Sequence, residues 1–197
     1  MSTLILAKDA QINLTKAVSA LTKYTVGLSW DKDSDLDAVA ILLGADGKMA
    51  HPVQDSMAYY GNCTKNDFKN PENPVAGLIH SGDARDGSAA GDDETITIDT
   101  TKVKADRILI CVTSYSNDAP VTFGAAANPA AKLYDDKGNA LVEVKLNENA
   151  AFSTALEFVE LTKVNGDWII KNVTNPVGNS KNGLEDLLAK YAHIYMV

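Results

Sequence analysis

Phe152-Ser153-Thr154-Ala155-Leu156-Glu157-Phe158-Val159-Glu160-Leu161-Thr162-Lys163 is followed, after Val164-Asn165-Gly166-Asp167, by Trp168-Ile169-Ile170-Lys171-Asn172-Val173. Two stretches rich in β-branched and aromatic residues thus flank an Asn-Gly pair. Asn-Gly tolerates the positive φ angles of a two-residue hairpin turn, whose twist matches that of paired strands. Working outward, the pattern repeats. Leu133-Tyr134 and Leu141–Leu146 flank Asp135-Asp136-Lys137-Gly138-Asn139, a second hairpin signal. Ile108–Val112 is continuously apolar, as expected of a strand buried on both faces, and Thr95–Asp99 alternates cleanly. Val39–Leu43, closed by Ala45-Asp46-Gly47, Tyr24–Trp30, Ile12–Leu14 and Leu4–Ala7 complete the strand series. Asn70-Pro71-Glu72-Asn73-Pro74 is too proline-rich for a strand and reads as a loop. Leu184, Leu187, Leu188 and Tyr191 recur at helical spacing at the end. The expected fold is mainly β: a β-sandwich of antiparallel sheets with a small C-terminal helix.

Length and composition fit one such unit. With 197 residues, 45% of them hydrophobic, the chain is expected to form a single domain over 1–197. A net charge of -8 disfavours nucleic acid and anionic membrane as partners. The N-terminal residues lack a basic region followed by a long apolar stretch, and no apolar run reaches membrane length. A soluble, cytoplasmic protein without direct membrane insertion is expected. Cys63 and Cys111, without a cysteine framework, agree with a reducing compartment, although one bridge between them is compatible with the sequence.

Much of the charge is local. Nine of the 26 acidic residues lie in Asp31-Lys32-Asp33-Ser34-Asp35-Leu36-Asp37 and in Gly82-Asp83-Ala84-Arg85-Asp86-Gly87-Ser88-Ala89-Ala90-Gly91-Asp92-Asp93-Glu94. Carboxylates about 4 Å apart repel by roughly 1 kcal/mol in water and roughly 4 near a protein surface. A hard divalent cation removes that penalty by taking the oxygens as ligands. On an extended strand, Asp31, Asp33, Asp35 and Asp37 would all project to one side. Calcium suits such an oxygen set, with magnesium as the nearer rival. Zinc would want Cys or His, and Cys63, Cys111, His51, His80 and His193 lack ligand spacing.

No EF-hand is present. A loop starting at Asp33 would need glycine at Ala38 and an acid at Gly44, and one starting at Asp31 would place Leu36 and Leu42 there. One starting at Asp83 delivers Glu94 in the last place, but puts Arg85 and Gly87 in ligand positions and Ser88 at the turn glycine. The remaining arrangement is a site built from two loops that meet at one end of the sandwich, since each acidic segment precedes a strand. Asp31 reads as the start of a loop, Asp86 as surface, His80 as a packed or capping residue, and Trp30 and Trp168 as core.

Asp33-Ser34-Asp35-Leu36-Asp37-Ala38, with the apolar strand and Leu43-Gly44-Ala45-Asp46-Gly47-Lys48 behind it, resembles the hallmark of TerD-type tellurium-resistance proteins. His80-Ser81-Gly82-Asp83, leading through Arg85 and Gly87 to Gly91-Asp92-Asp93-Glu94, resembles the second motif of that family. The resemblance covers nearly the whole chain. It implies a β-sandwich that binds calcium through these loops, with Asp33, Asp35, Asp37, Asp83, Asp92, Asp93 and Glu94 as metal ligands, in bacterial operons linked to tellurite resistance and to phage and colicin tolerance. It implies no enzymatic activity, and as partners the other proteins of a tellurite-resistance system.

The chain also departs from the family pattern. Ser34 stands where phenylalanine is usual, Val39 where serine is, Ala84 where asparagine is, and Ser88 and Ala90 where the glycine loop usually carries acids. Losing an amide oxygen and two charges weakens one of two ion sites, so one or two calcium ions are expected. The rival from another class is a glycosidase-like hydrolase, with Glu94 as acid and an aspartate as base or nucleophile. Two tryptophans and 7% aromatic residues are few for sugar platforms, and no nucleophile elbow, phosphate loop or zinc-protease motif occurs. The expectation is a non-enzymatic protein in which a cation organises a recognition surface.

Overall fold

The structure, a computed structural model, describes residues 6–17, 21–63 and 72–193. In chain order the elements are β1 (Gln11–Asn13), α1 (Leu14–Ala17), β2 (Lys23–Ser29), β3 (Asp35–Leu43), α2 (Val53–Ser56) and β4 (Met57–Ala58). Then come β5 (Glu72–Val75), β6 (Leu78–His80), β7 (Glu94–Asp99), β8 (Arg107–Tyr115), β9 (Ala130–Tyr134) and β10 (Ala140–Lys145). The chain closes with α3 (Leu146–Asn149), β11 (Ala155–Val164), β12 (Asp167–Val177) and α4 (Gly183–Tyr191). The strands form two six-stranded antiparallel sheets, ordered β1-β12-β11-β8-β3-β4 and β10-β9-β2-β7-β6-β5.

The hairpin at residues 152–173 anchors the first sheet as its sequence predicts. Val164 pairs with Asp167, and the turn residues Asn165 and Gly166 have φ of 52° and 90°. Alternation then sorts the faces. Leu36, Ala38, Ala40 and Leu42 of β3 and Ile108, Ile110 and Val112 of β8 point between the sheets, where they meet Val26, Leu28, Ile96, Ile98 and Leu133. The intervening Val39, Ile41, Leu43, Leu109 and Cys111 face outward and are covered by Leu184, Leu187 and Tyr191 of α4. That cover is why β3 and β8 read as unbroken apolar runs. α4 begins where Asn182 accepts a hydrogen bond from the Leu184 amide, a cap worth about 1 kcal/mol. Among the described residues, no helix is long and apolar enough to cross a membrane.

Two sequence expectations change. Glu72, Asn73 and Pro74, expected within a proline-rich loop, belong to strand β5 (Glu72–Val75), while Asn70 and Pro71 lie outside the described residues. β5 is the edge of its sheet, and its register with β6 slips between Glu72 and Val75, so Pro74 sits where a missing N–H is tolerated. The run Leu4–Ala7 falls partly outside the described residues, and Leu6 and Ala7 are irregular. Leu6 is nonetheless tied in by its N–H to Leu141 O at 3.3 Å.

Candidate metal centre

Strand β3 starts earlier than its apolar run, so Asp35 and Asp37 belong to the strand itself. They share the outward face with Val39 and Ile41, beyond the part that α4 covers. Across the ladder they sit opposite Tyr115 and Thr113 of β8. Asp83 comes from the loop between β6 and β7. Asp35, Asp37 and Asp83 each offer a carboxylate oxygen, and these oxygens lie within 4.8 Å of one another.

Glu94 is what brings that loop to β3. It is fully buried at the start of β7, and both of its oxygens accept backbone N–H groups. Oε2 accepts from Ala38 at 2.8 Å and Oε1 from Ala84 at 2.9 Å, so one carboxylate ties strand β3 to the residue after Asp83. His80 completes the join. Its Nε2 donates to Ala38 O at 2.9 Å, and its Nδ1 accepts from Gly82 N at 3.1 Å and lies 3.2 Å from Cys63 Sγ. Burial lowers the pKa of His80, which keeps the imidazole neutral with its proton on Nε2.

The electrostatics of the three aspartates are unfavourable. Burial, reinforced by Asp83 and opposed by Arg85, pushes Asp35 up to about 6. Burial and the charges of Asp35 and Asp83 hold Asp37, only 2% exposed, well above the usual carboxylate range. Among the described residues, the hydrogen bond that the Asp37 carboxylate accepts comes from Thr113 at a long 3.4 Å. Burial, then the Asp37 charge, raises Glu94 despite its two amide donors. Asp35 Oδ1 is buried and accepts no hydrogen bond from the described residues. A buried carboxylate oxygen without a donor, inside a cluster of hard oxygens, fits calcium or a similar cation, which prefers carboxylate ligands.

The other acidic residues go elsewhere. Asp31 and Asp33 precede β3, so the strand alternation does not reach them, and Asp33 has φ of 74°. Asp31 accepts from Asn128 Nδ2 at 2.6 Å, and Asp33 lines a neighbouring cavity of about 420 Å³. Asp93 folds back to accept from Trp30 N at 3.0 Å and Ala89 N at 2.9 Å, knitting the two acidic segments together. Asp92 lies over Gly27, where an added Cβ would come within 2.1 Å of its Oδ2, and Tyr134 donates to it at 3.4 Å. The segments therefore meet at one end of the sandwich, but their carboxylates do not all converge. Sequence reading missed the walls around the cluster, Tyr60, Tyr115 with Asn117, and Asn182, which come from three separate segments and carry no local signal.

Residues 2–191 of the chain match the TerD domain family. The tellurium resistance protein TerD of Serratia marcescens is 31% identical, with 94% of this chain and 95% of that protein covered. General stress protein 16U of Bacillus subtilis (strain 168) is 32% identical, with 84% and 86% covered. The fold is shared with the crystal structure of a homologue of telluride resistance protein (TerD) from Streptomyces coelicolor A3(2), at a TM-score of 0.66 and 18% identity over 82% of this chain and 93% of that one. These names describe resistance and stress proteins rather than enzymes, in line with a non-enzymatic role.

Proposed function

Because the chain belongs to the TerD family, we propose that it is a calcium-binding protein of stress response or tellurite defence, acting as one domain over 1–197. In this reading Asp35, Asp37 and Asp83 hold the ion, Glu94 positions the Asp83 loop, and the cation-ordered surface is read by other proteins of a resistance system. The observation that carries it is the three-carboxylate cluster with the orphaned Asp35 Oδ1. The ion supplies the positive charge that this cluster lacks. Asp33, Asp92 and Asp93 serve as loop supports, and a second ion near Asp92 is not required.

A carboxylate hydrolase is disfavoured on geometry. Glu94, the intended acid, has both oxygens committed to backbone amides.

Thermal unfolding in chelator, then with calcium or magnesium at matched ionic strength, tests the reading. Calcium at a hundred times its dissociation constant should stabilise by about 2.7 kcal/mol. Magnesium should do little, because it demands a strict octahedron and keeps its waters. Identical melting with and without calcium would sink the proposal.

A further inference from the structure

The three aspartates form the floor of a cavity of about 540 Å³, within the range of small-molecule sites. Its other lining residues, Arg85, Tyr60, Tyr115, Asn117 and Asn182, all carry hydrogen-bonding groups, and of these Asn182 Nδ2 already donates to Glu185 Oε1 at 3.3 Å. Tyr115 Oη donates to Asn117 Oδ1 at 2.9 Å, which leaves the Asn117 amide nitrogen as a donor. Arg85 is the basic residue of this lining and also lines the neighbouring cavity, so it stands on the rim between the two. Its Nε meets Asp83 Oδ2 at 3.1 Å, and its side chain is 72% exposed.

Calcium takes six to eight oxygens, and three carboxylates supply between three and six. The balance must come from the cavity side, beside a guanidinium whose planar fork matches a carboxylate or phosphate. We propose that, once a cation sits on Asp35, Asp37 and Asp83, the cavity binds a carboxylate- or phosphate-bearing ligand, with one oxygen on the ion and another on Arg85. This inference rests on the cation reading above.

Binding is strictly cation-dependent. Without the ion, three carboxylates on the floor and a net charge of -8 on the chain repel an anion. With it, the three carboxylates and the divalent ion leave a single negative charge, which the Arg85 guanidinium balances, so the repulsion is lifted where the ion's open coordination positions face the cavity. A neutral polyol would have no need of Arg85.

Terbium in place of calcium gives a direct readout, because its luminescence lifetimes in H₂O and D₂O count the waters on the ion. Acetate and phenyl phosphate, added separately to the terbium-loaded protein, distinguish a carboxylate from a phosphate source. At least one of them should displace at least one water, and Arg85→Gln should raise the midpoint of that titration by about tenfold. An unchanged water count with both probes, an unchanged midpoint in Arg85→Gln, or equal displacement by glycerol would overturn the inference while leaving the cation site standing. Failure of terbium to bind at all would instead refute the cation reading, and this inference with it.

Discussion

Asp37→Asn changes the charge of the centre with almost no change of shape, and its effect on stability has opposite signs without and with the cation. Asp37 is 2% exposed, and one of its carboxylate oxygens lies within 4.8 Å of an oxygen each of Asp35 and Asp83. At that spacing and an effective dielectric of about 20, each pair of ionised carboxylates repels by roughly 3 kcal/mol. Partial protonation and counter-ions relieve some of this, so neutralising Asp37 should stabilise the cation-free protein by about 2 kcal/mol at pH 7.5. For a chain of this size that is a rise in melting temperature of about 4 to 8 °C. Adding calcium inverts the comparison. At a thousand times its dissociation constant the ion adds about 4 kcal/mol to the native protein, while the variant, deprived of a charged ligand, responds only weakly. Melting curves over a calcium titration, starting in chelator, should therefore cross. The gap in chelator should also shrink as pH falls, because burial raises the pKa of the native Asp37 and it takes up its proton at a higher pH than an ordinary carboxylate. A variant that melts at or below the native protein in chelator would refute the reasoning, since it would mean that Asp37 carries no unfavourable charge.

Two further predictions concern its neighbours. In chelator, stability should fall as pH rises from about 4 to about 6.5, because Asp35, raised from 3.8 to about 6, binds its proton more tightly folded than unfolded. Its contribution is complete below the unfolded value and is lost as pH passes the folded one. The shift corresponds to roughly 3 kcal/mol, reduced to about 1 to 2 for a half-exposed group. Melting temperatures that stay flat or rise over that window would contradict it, and Asp35→Asn should reduce the slope, Asp37 and Glu94 still contributing in the same direction. Glu94→Ala, in contrast to Asp37→Asn, should destabilise the cation-free protein by about 2 kcal/mol, because it strands the buried amide of Ala38 and the partly buried amide of Ala84. It should also weaken calcium binding by about 10- to 100-fold through release of the Asp83 loop. Calorimetric titration beside melting in chelator separates the two effects, and native-like affinity would show that Glu94 positions nothing.

The β architecture was legible because its signals are local. Asn165-Gly166, the alternation of Thr95–Asp99 and the helical spacing of Leu184, Leu187 and Tyr191 each depend on neighbours a few residues away. β5 was not legible, since proline argues against a strand unless the strand is known to be an edge, and edge position is a property of the whole sheet. The site divides in the same way. Asp35 and Asp37 share a face by strand alternation, which sequence can foresee. Three successive acids at 92–94 point three ways because Gly27, Trp30 and Ala38 each claim one of them, and those contacts span 56 to 65 positions along the chain. Glu94 reads as a ligand in sequence because nothing local reveals that both its oxygens are occupied.

The shortness of β4 links scaffold to site. β4 pairs with β3 only through Ala58–Ala40 and Met57–Ile41. Continuing that register would set Tyr60 opposite Ala38 and satisfy the Ala38 N–H and C=O with main chain. Instead the strand stops, Tyr60 turns to line the cavity, and the Ala38 groups are taken by Glu94 and His80. Buried backbone groups must find partners, so stopping β4 early makes two buried titratable side chains necessary. Both come from the strands that bracket the Asp83 loop, and in reaching Ala38 they draw that loop against Asp35 and Asp37. A longer β4 would close the edge and leave Glu94 without a donor on β3. The carboxylate cluster is thus a consequence of where one edge strand ends, and its crowded charge is the local conflict that the proposed cation would resolve.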